Sequence, residues 1–246
     1  MLVSFGSIAQ QSIDLSTLWQ RYAFYAGGIS GLRSMSDSEH YTAQGKGTIE
    51  KYNYLSGEKV ALLLDVNALI SEEASIPAFN SYDLSTNEQW ALLETETDQI
   101  YRRSSKSVVW VVNLQSQQAT KIRPQKISNA TFSPDGNYVA YVYDNNLYIY
   151  DISEDAHVKI TSDGSFNHII NGATDWVYEE EFSIVKAFWW SPNSEKLAYL
   201  KFDESNVRKF NMDIYGKELY PNPYTFKYPK AGEDNSVVTV HIWDLN

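Results

Sequence analysis

A ten-residue unit that returns along the chain constrains its fold more than any other feature. Phe132-Ser133-Pro134-Asp135-Gly136-Asn137-Tyr138-Val139-Ala140-Tyr141 aligns without gaps on Trp190-Ser191-Pro192-Asn193-Ser194-Glu195-Lys196-Leu197-Ala198-Tyr199. A weaker third copy begins at Ser85, with Trp90-Ala91-Leu92-Leu93 in the place of the strand. The serines at 85, 133 and 191 stand 48 and 58 residues apart, a period suited to a four-stranded propeller blade and too long for a helical hairpin repeat. Ser-Pro-Asp-Gly is a turn with a mechanism: Pro presets φ, Asp bonds its own backbone, and Gly takes the positive φ of a tight hairpin. The apolar strand that follows then enters the blade core.

The rest of the pattern agrees with an all-β fold. Residues 60–66, 89–93, 107–114, 138–143, 146–152, 196–202 and 237–243 all read as strands. The 18 Tyr, 10 Phe and 7 Trp suit pleated, half-buried surfaces. Helical spacing is clearest within 14–35, where Asp14 or Ser16 is placed to cap and Leu15, Leu18, Trp19, Tyr22 and Ala23 share a face, until Gly27, Gly28 and Gly31 break the run. Residues 1–12 resemble the tail of an export signal, with Leu2, Val3, Phe5 and Ile8 before small residues, which gives the expectation of a periplasmic or secreted protein. The expected organisation is a possible signal remnant at 1–12, a helical or extended segment at 13–40 and propeller from 41 to 246, with an insertion at about 171–184. Two repeat intervals between Ser85 and Leu200 leave room for about three to four blades. Propellers generally close with four to eight. The expectation is therefore a partial, truncated propeller that exposes apolar blade faces, and so either associates or lacks its other half.

Composition removes several functions. A net charge of −11 argues against a nucleic-acid partner, which needs clustered Lys and Arg, and suits a cationic ligand instead. With no cysteine there is no disulfide, thiolate metal site or cysteine nucleophile. No His spacing suggests a metal, and Gly27-Gly28 with Gly31 lacks the strand-before, helix-after context of a nucleotide site, so no cofactor is expected.

The chemistry concentrates in Asn171-Gly172-Ala173-Thr174-Asp175-Trp176-Val177-Tyr178-Glu179-Glu180-Glu181-Phe182, which interrupts the repeat. Consecutive side chains on a helical turn project about 100 degrees apart, so Glu180 and Glu181 there can converge on one ligand, whereas on a strand they face opposite ways. A helical turn is therefore expected. Two converging carboxylates suit an ammonium group, which has three donors and a full positive charge. A solvated acidic edge, or a structural partner for a neighbouring Arg, stays open on the residues alone.

That segment, followed by Trp189-Trp190-Ser191-Pro192-Asn193, Leu197-Ala198-Tyr199, Phe202-Asp203-Glu204 and Tyr228-Pro229-Lys230-Ala231-Gly232, closely resembles the dipeptidyl peptidase IV family of the prolyl oligopeptidase superfamily. The likeness runs from about Asp14 to the C-terminus. One departure is Ser205-Asn206-Val207-Arg208, where the family usually has Pro after Val. The resemblance implies an eight-bladed propeller over an α/β-hydrolase domain, a serine exopeptidase that releases Xaa-Pro and Xaa-Ala dipeptides, and commonly a homodimer. It implies that Glu180 and Glu181 hold the substrate's amino terminus, that Glu179 is structural, and that Arg102, or in a second register Arg103, orients substrate carbonyls. No Gly-x-Ser-x-Gly elbow occurs, so the triad is expected outside these 246 residues and the chain alone is expected to be inactive. The alternative is a non-catalytic peptide- or protein-binding propeller.

Overall fold

The computed structural model describes residues 13–71 and 75–245, which fall in two compact units divided between Ser30 and Gly31. The stretch read as an export remnant, 1–12, lies outside the described residues. In the first unit the helical reading of 14–35 contracts to one wide turn, Ser16–Gln20, closed by Arg21 N–H donating to Ser16 O five residues back. Asp14 caps it by accepting the Thr17 N–H at 2.6 Å. Tyr22, with φ of 46°, ends it. A short helix depends on burying its apolar face, and Leu15, Trp19 and Tyr22 all stay exposed.

The second unit is a run of blades. The first contains β1 (Arg33–Ser34), β2 (His40–Gln44), β3 (Thr48–Asn53) and β4 (Lys59–Asp65), the second β5 (Ser81–Leu84), β6 (Trp90–Gln99), β7 (Ser105–Asn113) and β8 (Ala119–Lys121), and the third β9 (Ser128–Phe132), β10 (Tyr138–Tyr143), β11 (Asn146–Asp151) and β12 (Ala156–Lys159). Each is a four-stranded antiparallel meander. The fold is thus all-β, four consecutive blades of a propeller, and its first sheet starts at Arg33, inside the segment read as helical or extended. In the fourth sheet β13 (Ile169–Asn171) and β14 (Phe188–Trp190) lie end to end along β15 (Lys196–Asp203), with β18 (Val237–Asp244) on the other edge. A separate hairpin, β16 (Lys209–Ile214) with β17 (Asn222–Lys227), leaves between β15 and β18.

Central strands of the second and third blades carry apolar residues on both faces because each of these blades is covered on both sides, whereas the outer faces of the first and fourth leave Leu62, Val240 and Ile242 exposed. Ala91, Leu93, Val108, Trp110 and Val112 pack toward Ile49 and Leu64 of the first blade, while Leu92, Val109 and Val111 pack toward Val139, Tyr141 and Tyr150 of the third. Ala140, Val142, Leu147 and Ile149 then meet Phe188 and Leu197 of the fourth. Single-residue alternation along each strand divides its side chains between two cores.

The repeated turn has one wiring in all three copies. Ser133 Oγ donates to Asp135 Oδ1 at 2.5 Å and accepts the Tyr138 N–H at 3.0 Å, as Ser85 does with Asn87 and Trp90 and Ser191 with Asn193 and Lys196. The fourth residue has positive φ in each case: Glu88, Gly136 and Ser194. Neighbouring turns also touch, since Asn87 Nδ2 donates to Asp135 O and Asp135 N–H to Ser194 Oγ. Ser133→Ala is expected to cost about 1–3 kcal/mol, because Ser133 is buried and its loss leaves the Tyr138 N–H without its acceptor. Ser191→Ala is expected to cost less, because the corresponding bond to Lys196 is open to solvent. Thermal denaturation of the two variants side by side checks the order.

Candidate functional site

Helix α1 (Trp176–Phe182) stands in an excursion between β13 and β14, on one edge of the fourth sheet. The chain departs at Gly172, whose N–H bonds Leu200 O, and returns at Ala187, whose N–H bonds Gly172 O, so the ladder on β15 resumes where it stopped. Gly172 has φ of +76°, and a Cβ there would stand 2.9 Å from Leu147 Cδ1, so both its conformation and its surroundings require glycine. Asp175 caps the helix by accepting the Tyr178 N–H at 2.9 Å, and its other oxygen accepts from Ser236 Oγ at 2.6 Å. Ser183, left-handed at φ 58°, closes the far end with its N–H on Glu179 O and Tyr178 O. Thr174 Oγ1 donates to Ile184 O and ties the two stems of the excursion together.

The aromatic residues of the motif are its anchors. Tyr178 packs edge-on against the fully buried Phe202 of β15 with centroids 5.0 Å apart, and Trp176 lies 4.6 Å from Tyr228 just beyond β17. With those two seated, the helical period sorts the three carboxylates. Glu179 faces inward and is 1% exposed. Glu180 lies on the flank with a side chain 15% exposed, and Glu181 faces solvent.

Glu179 Oε1 accepts two backbone N–H groups, from Arg103 at 2.7 Å and Ser104 at 2.9 Å, in the turn between β6 and β7. On that turn Arg102 directs its Nε to Glu180 Oε2 at 3.3 Å, with the side chain 72% exposed. The structure therefore brings Arg102 and Glu180 together, with Glu181 next on the helix and exposed, while Arg103 contributes its backbone to Glu179. Arg102, Trp176 and Glu180 line a cavity of about 600 Å³ with Phe210, Phe226 and Tyr228. Glu181 lines neither this cavity nor the one on the opposite side of α1. Among the described residues no group of three or more His, Asp or Glu is placed to hold a metal.

The opposite cavity, about 540 Å³, contains a residue that sequence reasoning did not single out as functional. Glu204, 5% exposed, lines it with Tyr101, Asp175, Glu179 and Tyr224. Burial first, then the Asp175 carboxylate, pushes Glu204 up to about 7, against the opposing pull of Lys227. Burial also raises Tyr101, whose hydroxyl lies beside that of Tyr224. Phe202-Asp203-Glu204 is visible in the sequence, but nothing in its spacing tells that the carboxyl is enclosed.

Comparison with known proteins gives consistent matches. A family model described as the dipeptidyl peptidase IV (DPP IV) N-terminal region matches residues 85–246. The chain is 37% identical over 196 residues to the prolyl endopeptidase FAP of Bos taurus, covering 78% of this chain and 25% of that protein. It is 36% identical over 172 residues to dipeptidyl peptidase 4 of Sus scrofa, covering 67% and 22%. The crystal structure of Porphyromonas gingivalis dipeptidyl peptidase 4 matches with a TM-score of 0.87 and 38% identity, over 96% of this chain and 34% of that one. The chain spans about a quarter of the length of these curated relatives.

The enclosed carboxyl leads to a pH prediction. Glu204 binds its proton more tightly folded than unfolded, so its contribution to stability is complete below about 4.5 and is lost as pH rises through about 7. The loss is on the order of 3 kcal/mol at most. Glu204→Gln is expected to flatten the fall in melting temperature between pH 5 and 8, and an unchanged slope in differential scanning calorimetry would refute the assignment.

Proposed function

The chain belongs to the dipeptidyl peptidase IV family, and from that premise we propose that it is the N-terminal propeller part of an exported serine exopeptidase that releases Xaa-Pro and Xaa-Ala dipeptides. In this reading a C-terminal α/β-hydrolase domain of the same protein supplies the triad, the 246 residues alone are inactive, and the working form is a homodimer. Glu180 and Glu181 capture the protonated amino terminus, and Arg102 orients the carbonyl oxygens that follow it.

One observation carries the reading. Arg102 and Glu180, 78 residues apart in the chain, meet at 3.3 Å on the open side of α1, while Glu179 is committed to backbone on the buried side. An ammonium has three donors for Glu180 and Glu181 to accept. Arg102 uses Nε on Glu180 and keeps further guanidinium N–H groups for a peptide carbonyl. An exopeptidase needs this division of labour: fixing the chain end fixes which bond reaches the nucleophile, two residues in.

Charge-assisted contacts are worth about 1.5–3 kcal/mol, or roughly tenfold and upward in rate. In the protein that carries this chain, Glu180→Ala or Glu181→Ala is expected to lower kcat/KM for an H-Ala-Pro substrate at least tenfold. An N-acetylated version of that substrate should be turned over poorly by the unaltered protein. Equal hydrolysis of free and acetylated substrate, or full activity in both variants, would remove the proposal.

A further inference from the structure

We propose that Glu179 is the positioning residue of this site, and that it acts as a hydrogen-bond acceptor for which negative charge is not required. The inference rests on the amine-capture reading and adds a residue to it. The turn between β6 and β7 is closed on itself by Ile100 N–H to Ser104 O at 2.8 Å and by Tyr101 N–H to Ser104 Oγ at 3.2 Å. Those bonds shape the turn but leave the Arg103 and Ser104 N–H groups directed outward. Both end on a single atom, Glu179 Oε1, contributed from the fourth blade 76 and 75 residues further along.

The position of Arg102 follows from this. A backbone held at the next two residues has little freedom to carry Arg102 away from α1, although its side chain is 72% exposed and no other ion pair holds it among the described residues. Glu179 and Glu180 are adjacent on one helical turn, so the oxygen that receives the turn and the oxygen that receives Arg102 move as one piece. Asp175 Oδ2, bonded to Ser236 Oγ, ties the start of the same helix to the segment before β18. Arg102 is exposed and Glu180 lies at the cavity edge, whereas Glu179, the acceptor that sets their spacing, is buried.

Because both amides end on Oε1, glutamine can replace glutamate at this position and still accept them, whereas a third amine-binding carboxylate could not lose its charge. An aspartate side chain at the same position would fall one methylene short of the turn. In the protein that carries this chain, Glu179→Gln is expected to stay within about threefold of the unaltered kcat/KM for H-Ala-Pro substrate. Glu179→Ala and Glu179→Asp should lose tenfold to a hundredfold, mainly through KM, since a misplacement of about 1 Å can cost on the order of a hundredfold. In an Arg102→Ala background the further loss from Glu179→Ala should shrink to threefold or less. A Gln variant as damaged as the Ala variant, or an Ala loss of equal size in both backgrounds, overturns the proposal.

Amide hydrogen exchange at Arg103 and Ser104 needs no substrate, so it tests the tether even if the peptidase reading fails. Protection should be kept in Glu179→Gln and fall at least tenfold in Glu179→Ala, with the remainder of β7 unaffected. Unchanged protection in the Ala variant also overturns the proposal.

Discussion

A sheet whose central strands are apolar on both faces has to be covered twice. That requirement organises the molecule: Leu92 and Val109 face one neighbouring blade while Leu93 and Trp110 face the other, so neither sheet of a pair has a finished core without its partner. At about 25 cal/mol per Å² of apolar surface removed from water, these shared faces outweigh any single hydrogen bond in the turns. The turns decide something different. By bonding Ser Oγ to the two ends of each hairpin, and one hairpin to the next through Asn87, Asp135 and Ser194, they set how far each blade is offset from its predecessor.

Against that stack, the site is an arrangement of charges at the edge of a buried region. Three successive glutamates would repel one another if they shared an environment. The helix separates them by orientation, so that one is satisfied by backbone amides, one by a guanidinium and one by solvent. Across α1 the enclosed Glu204 meets the same difficulty by binding its proton more tightly, because it is buried and Asp175 is near, while Lys227, bonded to Ser205 O and Val207 O, opposes the shift only in part.

How much of this was legible in the sequence depended on how local its cause was. Seven strands were readable because apolar alternation and a turn signal occur within a few residues: β10 coincides with the 138–143 reading, and β4, β7, β11, β15 and β18 differ from theirs by one or two residues at an end. β6 runs to Gln99, well past 93, since Thr95 and Thr97 bond neighbouring strands while looking polar in the sequence. Short pieces such as β8, β12 and β13 are strands only because a neighbour pairs with them, and no run of three or four residues announces that. The helical turn under the acidic motif was predicted from chemistry, and the caps at Asp175 and Ser183 are its local cause. Arg102 came from family resemblance, because its partner lies 78 residues away; the Glu179 acceptor geometry and the enclosure of Glu204 are tertiary and had no local signal.

The excursion that carries α1 begins and ends at adjoining rungs of the β15 ladder, with Gly172 and Ala187 bonded to each other across its mouth. Seen from the blade, everything between them is a side branch. Residues can therefore be gained or lost there without shifting the register of a single strand, and a recognition element of another length or chemistry can be mounted on the same scaffold. The binding chemistry of the excursion can thus change while the strand pairing of the blade is kept, provided Glu179, Asp175 and Tyr178 retain their contacts with the scaffold.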